Sequence, residues 1–250
     1  MALDKLSAQE ILKLLANNAI PTDDFSVIVE DSLPSTNDYL LDMISKSAEQ
    51  MTKTAVLAET QTGGKGRQGK QWVSPEGNIY LSVYWPFKCT LEKLYGLSLV
   101  VGIAIARVLK ANGLADVQLK WPNDIYWQGR KMGGILIETK QNRPGIIDTI
   151  IGIGLNIVEM EAYSQEIGQK FVSLESALQH RVYRDKLVAQ LLLELDAILN
   201  RFTQAGFADF IDEWKTLDAK ISSTSTEMDL FAKIINAEKM QTDSDSKFLH

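Results

Sequence analysis

The sequence has few of the residues that bind metals or work with histidine as nucleophiles. Its 250 residues include one cysteine, Cys89, and two histidines, His180 and His250, which lie far apart in the chain. A single cysteine cannot form a disulfide within the chain, and these three residues do not supply a structural zinc site. A Ser-His-Asp or Cys-His hydrolase would depend on His180, which lies in a stretch with a helical pattern. We therefore expect any chemistry to depend on Lys, Arg, Asn, Gln, carboxylates and backbone amides.

Long apolar runs and an excess of positive charge are also missing. No uninterrupted apolar run approaches the roughly 20 residues that span a bilayer. The N-terminus carries Asp4 and Glu10 where a signal peptide would have a basic and then an apolar stretch. Lys and Arg total 26 against 32 for Asp and Glu, and a net charge of -6 argues against a general nucleic-acid binder. With the single cysteine, this predicts a cytoplasmic protein without a membrane or nucleic-acid partner.

Apolar residues make up 45% of the chain, which is enough for one large core. Strands joined by hairpins, with helices inserted between groups of strands, predict an α+β fold in which helices cover a mixed, largely antiparallel sheet. Helical spacing covers residues 7–17, 35–44, 97–109, 184–202 and 207–217, and strand patterns cover 27–29, 55–58, 79–84, 117–120, 125–127, 134–138 and 146–157, with a hairpin turn at Gln128–Gly129.

The predicted domain spans residues 25–220. Residues 1–24 hold one short helix, whereas a helix-turn-helix DNA reader needs about three. We therefore expect an N-terminal helical extension and no complete DNA-binding domain. Residues 221–250 combine a Ser/Thr-rich stretch with five acidic residues and show no convincing strand alternation, which predicts a loosely held tail.

The segment Gly63–Lys70 is the most unusual part of the sequence, with four glycines and three cations in an acidic protein. Glycines allow several backbone N–H groups to face one ligand, and Lys65, Arg67 and Lys70 add charge opposite to that of a phosphate or carboxylate. The pattern favours an anion-binding loop, although a solvated turn with surface cations would have the same composition.

Two nucleotide-binding motifs begin in the sequence and are not completed. A Walker A loop is excluded because Gln71 stands where a Ser or Thr hydroxyl would bind magnesium. Gly152 and Gly154 begin a dinucleotide-binding fingerprint, but Ile157 replaces its third glycine. We interpret these two glycines as positions of close packing in an apolar strand.

The segment Lys120–Asp124 is a second candidate for chemistry. Lys120 ends an apolar strand and precedes Trp121, so its charge is well placed to point into a pocket. Uncharged groups suited to a small polar ligand lie elsewhere in the chain, although each could equally be a cap or turn residue. They are Ser35, Thr36, Asn37 and Gln61.

Together these segments resemble the biotin protein ligases, enzymes that make biotinyl-adenylate and transfer biotin to a lysine of a carrier protein. The similarity runs in the family's order and spacing from about Ser35 to Asp218 and implies a catalytic domain related to class II aminoacyl-tRNA synthetases. The matching segments are Ser35–Asn37, Gln61–Trp72, Ser74–Ser82, Lys120–Asp124, Lys131–Glu138 and Gly152–Asn156.

The resemblance implies a biotin pocket beside an adenylate pocket. Lys120 and Arg67 would be catalytic, with Lys120 between the biotin carboxylate and the α-phosphate. Biotin would be bound by Ser35, Thr36, Asn37, Gln61, Lys65, Gly66, Arg67 and Lys120, and the adenylate by Gly64, Lys65, Arg67, Trp72 and Asn156.

The resemblance also implies ligands and partners. ATP and biotin would be substrates, Mg²⁺ would accompany ATP, and a biotin carboxyl carrier protein would receive the biotin. No carboxylate cluster identifies the magnesium ligands, and Asp124 and Glu138 are the candidates. A homodimer paired through sheet edges is compatible with the resemblance.

Three departures from the family's pattern keep alternatives open. Lys65 stands where many relatives carry arginine, which would weaken retention of the adenylate. We also expect the DNA-binding domain of bifunctional members to be absent, and residues 222–250 to replace the family's small C-terminal β-barrel. The alternatives are a biotin-binding protein with impaired ligation and a lipoate or octanoate ligase on the related fold.

Overall fold

A computed structural model describes residues 4–18, 25–47, 51–159 and 161–219. The tail predicted over 221–250 lies outside the described residues, as do the ends of the predicted N-terminal extension. Within the described ranges the expected α+β architecture is confirmed.

Seven strands form one sheet in the spatial order β1-β2-β3-β7-β6-β5-β4. Among the described strands only β1 and β2 pair in parallel, and the other pairs are antiparallel. The predicted hairpin turn is confirmed, with positive φ at both Gln128 and Gly129. The strands are β1 (Phe25–Leu33), β2 (Lys53–Gln61), β3 (Ile79–Phe87), β4 (Val117–Lys120), β5 (Asp124–Trp127), β6 (Arg130–Arg143) and β7 (Ile146–Leu155).

Helices cover both faces of this sheet. On one face, α1, α3 and α6 pack in a core with strand residues such as Leu57 and Leu81. On the other face, α2 packs with Val56 and Tyr84 in a smaller cluster. The helices are α1 (Ala8–Ala16), α2 (Thr36–Lys46), α3 (Leu97–Ala111), α4 (Ser164–Ile167), α5 (Leu174–Leu178), α6 (Arg184–Ala205) and α7 (Ile211–Leu217).

Strand β6 differs from its sequence prediction, which covered only 134–138. It extends to Arg143 because backbone pairing with β7 continues as far as Arg143 and Ile146. Its outer residues are polar, and so they gave no apolar strand pattern. Among the described strands, β5 reaches only residues 130–134 of β6, so the outer half of β6 pairs with β7 alone.

The segment 91–111 is the most apolar helical stretch of the described residues, although charged residues interrupt it, as the sequence analysis expects. It is 21 residues of helical structure with a mean hydropathy of 1.7 in its most apolar window, which meets the length and composition of a membrane span. In the fold, 67% of that window is buried, and Gly96 separates a short turn from α3. The apolar composition of α3 matches its place against α6 and the sheet.

A buried ion pair joins three separate parts of the chain. The guanidinium of Arg184 on α6 donates to the carboxylate of Glu59 on β2 at 2.7 Å, and both side chains are under 10% exposed. Glu59 also accepts a hydrogen bond from the backbone N–H of Leu6 at 2.6 Å, and Arg184 donates to the backbone carbonyl of Asn78 at 3.1 Å. The N-terminal segment is thereby tied to the sheet and to α6.

Replacing Arg184 with Met is expected to destabilise the fold by about 3–5 kcal/mol, because Glu59 would remain buried without its cation. The free energy of unfolding in urea measures this loss. Arg181→Met is the matched control, because the pair of Arg181 with Asp4 is largely exposed and should contribute about 1 kcal/mol or less. Equal losses in the two variants would contradict the role given to the buried pair.

Candidate functional site

A cavity of about 310 Å³ opens between three elements: the N-terminal end of α2, the loop 63–71 and the turn between β4 and β5. We call the loop 63–71 the glycine loop. The floor of the cavity is the sheet surface at Gly134, Gly152 and Gly154. Most of the residues predicted as a site therefore meet at one place.

One wall of the cavity is polar and uncharged. Ser35 caps α2, and its hydroxyl accepts from the N–H of Asp38. The side-chain oxygen of Gln61 accepts from the N–H of Thr36 at 2.9 Å, and its side-chain nitrogen donates to Ser74 Oγ at 3.0 Å. These contacts hold Thr36 and Gln61 against each other at the cavity wall.

Gly152 and Gly154 let two large groups lie directly on the sheet. A Cβ at Gly152 would overlap Asn37 Oδ1, and a Cβ at Gly154 would lie 2.6 Å from the Trp72 ring. Both contacts are too short for a side chain at these positions. The interpretation of these two glycines as close-packing positions is confirmed, and the packing partners are predicted site residues.

The glycine loop is tied at its stem and held on both sides of the cavity mouth. At the stem, the N–H of Trp72 donates to the carbonyl of Gly64 at 2.9 Å. On one side, Lys65 Nζ lies 2.5 Å from Asp38 Oδ1 on α2. On the other side, Arg67 donates to Asn123 Oδ1 at 3.3 Å. The loop therefore lies across the mouth of the cavity. Its residues 67–69 form a short turn, whereas a Walker A loop would continue into a helix.

The contact with Asp38 changes the titration of Lys65. Its hydrogen bond to Asp38 raises the pKa of Lys65 above the ordinary value of 10.5, while partial burial acts in the opposite direction. Because the folded pKa is raised, the ion pair is fully formed at neutral pH and is lost only as the pH rises past that raised pKa.

The opposite wall carries the other cations. Lys120 Nζ lies 5.4 Å from the ring centroid of Tyr126, a cation–π geometry. Lys131 Nζ lies 2.7 Å from Asp124 Oδ1 and 5.2 Å from the Trp72 ring centroid, and both charged side chains are largely buried. Burial and the charge of Asp124 raise the pKa of Tyr126.

The charge of the lining is opposite to that of the whole chain. Among the described residues that line the cavity, Lys65, Arg67, Lys70, Lys120 and Lys131 are cationic and only Asp124 is acidic. The chain as a whole carries a net charge of -6. Such a cavity suits a ligand that combines an uncharged polar end with anionic groups.

Two predicted adenylate residues do not line this cavity. Gly64 lies at the stem of the glycine loop and lines a second, separate cavity on the outer side of that loop. Asn156 is 5% exposed, and its side-chain amide faces the carbonyls of Lys131 and Val172 at 3.4 and 3.5 Å. Asn156 instead joins β6 to the segment before α5, and its contact with an adenylate stays a prediction.

Lys131 is a cavity residue that the sequence pattern did not single out. It lies one strand away from Lys120, and its pairing with Asp124 depends on the β5–β6 register, which no local pattern reveals. The feature of the sequence that could have identified Lys131 as a site residue was its position at the start of the matching segment Lys131–Glu138. Two cations, from the strands on either side of β5, therefore face the cavity.

The described residues contain no cluster of three or more His, Cys, Asp or Glu side chains that could hold a metal on their own. Of the two predicted magnesium candidates, Asp124 lines the cavity and pairs with Lys131. Glu138 accepts from Asn37 Nδ2 at 2.6 Å and lies outside the cavity. Only Asp124 is placed to meet a cation bound with a ligand in the cavity.

The sequence model of the biotin/lipoate A/B protein ligase family matches residues 29–156. That range contains the whole sheet apart from the start of β1, and almost all of the cavity lining. The chain belongs to this family. The predicted resemblance is thereby confirmed.

Two relatives in the ligase family show the extent of the similarity. The bifunctional ligase/repressor BirA of Escherichia coli is 38% identical over 214 residues, which cover 85% of this chain and 63% of BirA. The biotin–[acetyl-CoA-carboxylase] ligase of Paracoccus denitrificans is 31% identical over 173 residues, which cover 66% of this chain and 71% of that protein. The chain thus spans less than two thirds of the length of BirA.

Solved structures of biotin protein ligases share the fold. The enzyme of Aquifex aeolicus in complex with biotin and ATP has a TM-score of 0.64 and 26% identity, with 78% of each chain covered. The enzyme of Leishmania major in complex with biotinyl-5-AMP has a TM-score of 0.64 and 25% identity, with 80% of this chain and 83% of that chain covered. The predicted architecture is confirmed by this likeness.

In this family member, Asp38→Asn is expected to loosen the glycine loop by removing the ion pair with Lys65. Trypsin should then cleave after Lys65, Arg67 or Lys70 faster, by about fivefold at most, because a half-exposed pair contributes about 1 kcal/mol or less. Limited proteolysis followed by mass spectrometry measures the rate. Asp42→Asn is the control, because Asp42 lies one turn later on α2 and pairs with the exposed Lys46. Equal cleavage in both variants would show that Asp38 does not hold the loop.

Proposed function

We propose that this chain is an ATP-dependent biotin ligase, which forms biotinyl-5'-AMP from biotin and ATP and transfers biotin to a lysine of a biotin carboxyl carrier protein. The observation that carries the proposal is a single cavity with an uncharged hydrogen-bonding wall facing a cation-rich wall. Family relatives with bound biotin and ATP, or biotinyl-5-AMP, support the same pair of substrates.

The uncharged wall matches the ureido ring of biotin. A ureido group offers two N–H donors and a carbonyl acceptor without net charge. Thr36 and Gln61 offer a hydroxyl and an amide at the cavity surface, already ordered by their contact with each other. Ordered polar groups bind a matching ligand without a further loss of side-chain freedom.

The cationic wall matches the first reaction. An oxygen of the biotin carboxylate attacks the α-phosphorus of ATP, a new P–O bond forms, and pyrophosphate leaves with the electrons of the broken P–O bond. Two anionic groups must approach each other for this step. Lys120, Arg67 and Lys131 would reduce their repulsion and stabilise the charge on the pentavalent phosphorus, which favours the transition state over the bound substrates.

Mg²⁺ is expected to accompany ATP, because this ion is usually held by one or two carboxylates together with substrate phosphates. Asp124 fits that requirement as a single carboxylate in the lining. When a phosphate draws Lys131 toward itself, Asp124 would lose its partner and could serve the cation. Mg²⁺ would supply charge neutralisation of the phosphates there.

The second reaction consumes the adenylate. A neutral lysine amine of the carrier attacks the biotinyl carbonyl, an amide bond forms, the C–O bond to AMP breaks, and the amine loses a proton to solvent. The glycine loop, held to Asp38 and Asn123, would shelter the reactive anhydride from water until the carrier arrives.

The half-buried single cysteine suits a reducing cytoplasm, which is where we expect the chain to act.

Lys120→Ala is expected to lower the rate of pyrophosphate release from biotin and ATP by about 10²–10³-fold, since it removes a cation from the developing phosphorane charge. An enzyme-coupled pyrophosphate assay measures the rate. Lys93→Ala is the control, because Lys93 is exposed on the turn before α3 and lies outside the cavity. Absence of pyrophosphate release by the unaltered chain would remove the ligase proposal.

Biotin is expected to bind far better than lipoate, which lacks a ureido group for Thr36 and Gln61. Competition calorimetry against biotin measures the difference, and preferential lipoate binding would assign the chain to the lipoate branch of the family. Intact-mass spectrometry of a carrier domain should also show the added biotin. Biotin binding with an unmodified carrier would identify a binding protein with impaired ligation.

A further inference from the structure

Two residues of β5, Asp124 and Tyr126, lie between the lysines of the flanking strands. In the β4–β5 pairing Lys120 is directly opposite Asp124, and in the β5–β6 pairing Lys131 is directly opposite Tyr126. Directly opposite residues and alternate residues of one strand share a side of the sheet, so all four side chains lie on one face. Each lysine is therefore within reach of the Asp124 carboxylate.

The two lysines nevertheless have different partners. Lys131 Nζ pairs with Asp124 Oδ1 at 2.7 Å. Lys120 Nζ instead lies over the Tyr126 ring, 5.4 Å from its centroid. In the part of the chain that the structure describes, the Lys120 ammonium makes no ion pair and no side-chain hydrogen bond. No carboxylate there neutralises its charge.

The Tyr126 ring attracts a cation without carrying a net charge. The face of an aromatic ring is electron-rich, and this attracts an ammonium group above it. Burial and the charge of Asp124 raise the pKa of Tyr126, so its hydroxyl stays protonated at neutral pH. Lys120 therefore keeps its full positive charge for an anion in the cavity. An ion pair with Asp124 would also hold Lys120 in place, but it would cancel most of that charge.

The ring also orders the Lys120 side chain before a ligand arrives. A lysine side chain is flexible, and fixing it in one arrangement costs conformational entropy. Contact with Tyr126 offsets part of this cost within the protein itself. Tyr126 is 9% exposed, and it lies outside the cavity lining, whereas Lys120 belongs to that lining. Tyr126 would thus act on a ligand through the lysine it contacts.

Resting on the proposed function, we infer that Tyr126 is a positioning residue for the adenylation step: its ring holds the Lys120 ammonium at the cavity and away from Asp124, so that the full charge of Lys120 acts on the α-phosphate of ATP. Tyr126 itself touches neither substrate nor reacting atoms. Without the ring, Lys120 would be free to turn to Asp124 on the opposite strand.

A series of ring substitutions tests this inference: Tyr126→Phe, and then phenylalanines with one, two and three ring fluorines in place of Tyr126. Fluorine withdraws electrons from the face of the ring and changes its size little. Tyr126→Phe should leave pyrophosphate release unchanged, because it keeps the ring. Successive fluorines should lower kcat stepwise, to a total of about three- to tenfold, the range for a partly buried cation–π contact. The KM values for biotin and ATP should change less than kcat, because Lys120 acts mainly on charge that develops during the reaction.

Two controls separate the contact from other effects of the substitutions. The same series in place of Tyr39 should leave the rate unchanged, because Tyr39 packs half-buried on α2, outside the cavity lining. In the Lys120→Ala background, fluorination in place of Tyr126 should have no further effect on the remaining rate. An effect that passed through Asp124 and Lys131 instead would persist in that background.

The outcomes distinguish the two proposals. A kcat that does not depend on fluorination, a loss of rate already in Tyr126→Phe, or fluorine effects that persist without the Lys120 side chain would each overturn the inference. The ligase proposal would stand in all three cases, because the unaltered chain would still release pyrophosphate from biotin and ATP. If the unaltered chain releases none, the proposed function on which the inference rests is wrong.

Discussion

The site depends on how closely other groups can approach the surface of β7. Gly152 and Gly154 carry no side chain, and the space is filled by the Asn37 amide and the Trp72 ring. Alternate residues of a strand face the same side of a sheet, so the two positions lie in one row. α2 and the segment after the glycine loop can therefore meet over the same short stretch of the β7 backbone. A side chain at either position would push the polar wall and the aromatic ring away from each other.

Uncharged and cationic groups lie on different sides of the cavity, and the separation runs across the sheet from one strand to the next. The uncharged groups come from α2 and β2, and most of the cations come from the glycine loop and the β4–β6 side of the sheet. Two of the cations already have carboxylate partners, Lys65 with Asp38 and Lys131 with Asp124. These pairs hold positive charge near the mouth without unbalanced repulsion while no anionic ligand is bound.

Much of the fold could be predicted from the sequence because local patterns decide it. The apolar residues of α3 alone predict a core helix. The segment that begins with Ser35 and Thr36 predicts the start of α2. The outer half of β6 was missed because its polar residues are held by backbone pairing with β7. The contacts of Lys131 and Glu138 were missed for a similar reason, since the Lys131–Asp124 pair depends on the β5–β6 register and Glu138 meets Asn37 from a distant segment. The motifs can be found from the local sequence. Which of their side chains are in contact depends on the strand register, which the local sequence does not determine.

A positively lined cavity in a chain of net charge -6 has a kinetic consequence. The net negative charge of the chain repels an approaching anion, whereas the cations that line the cavity attract it. The long-range electrostatic field therefore directs anions toward the cavity mouth. Encounters on the remaining surface are short-lived, and diffusing anions are delivered to the mouth more often than its area alone would allow. Dissolved salt shortens the range of that field, and its main effect is therefore on how fast such molecules arrive rather than on how long they stay.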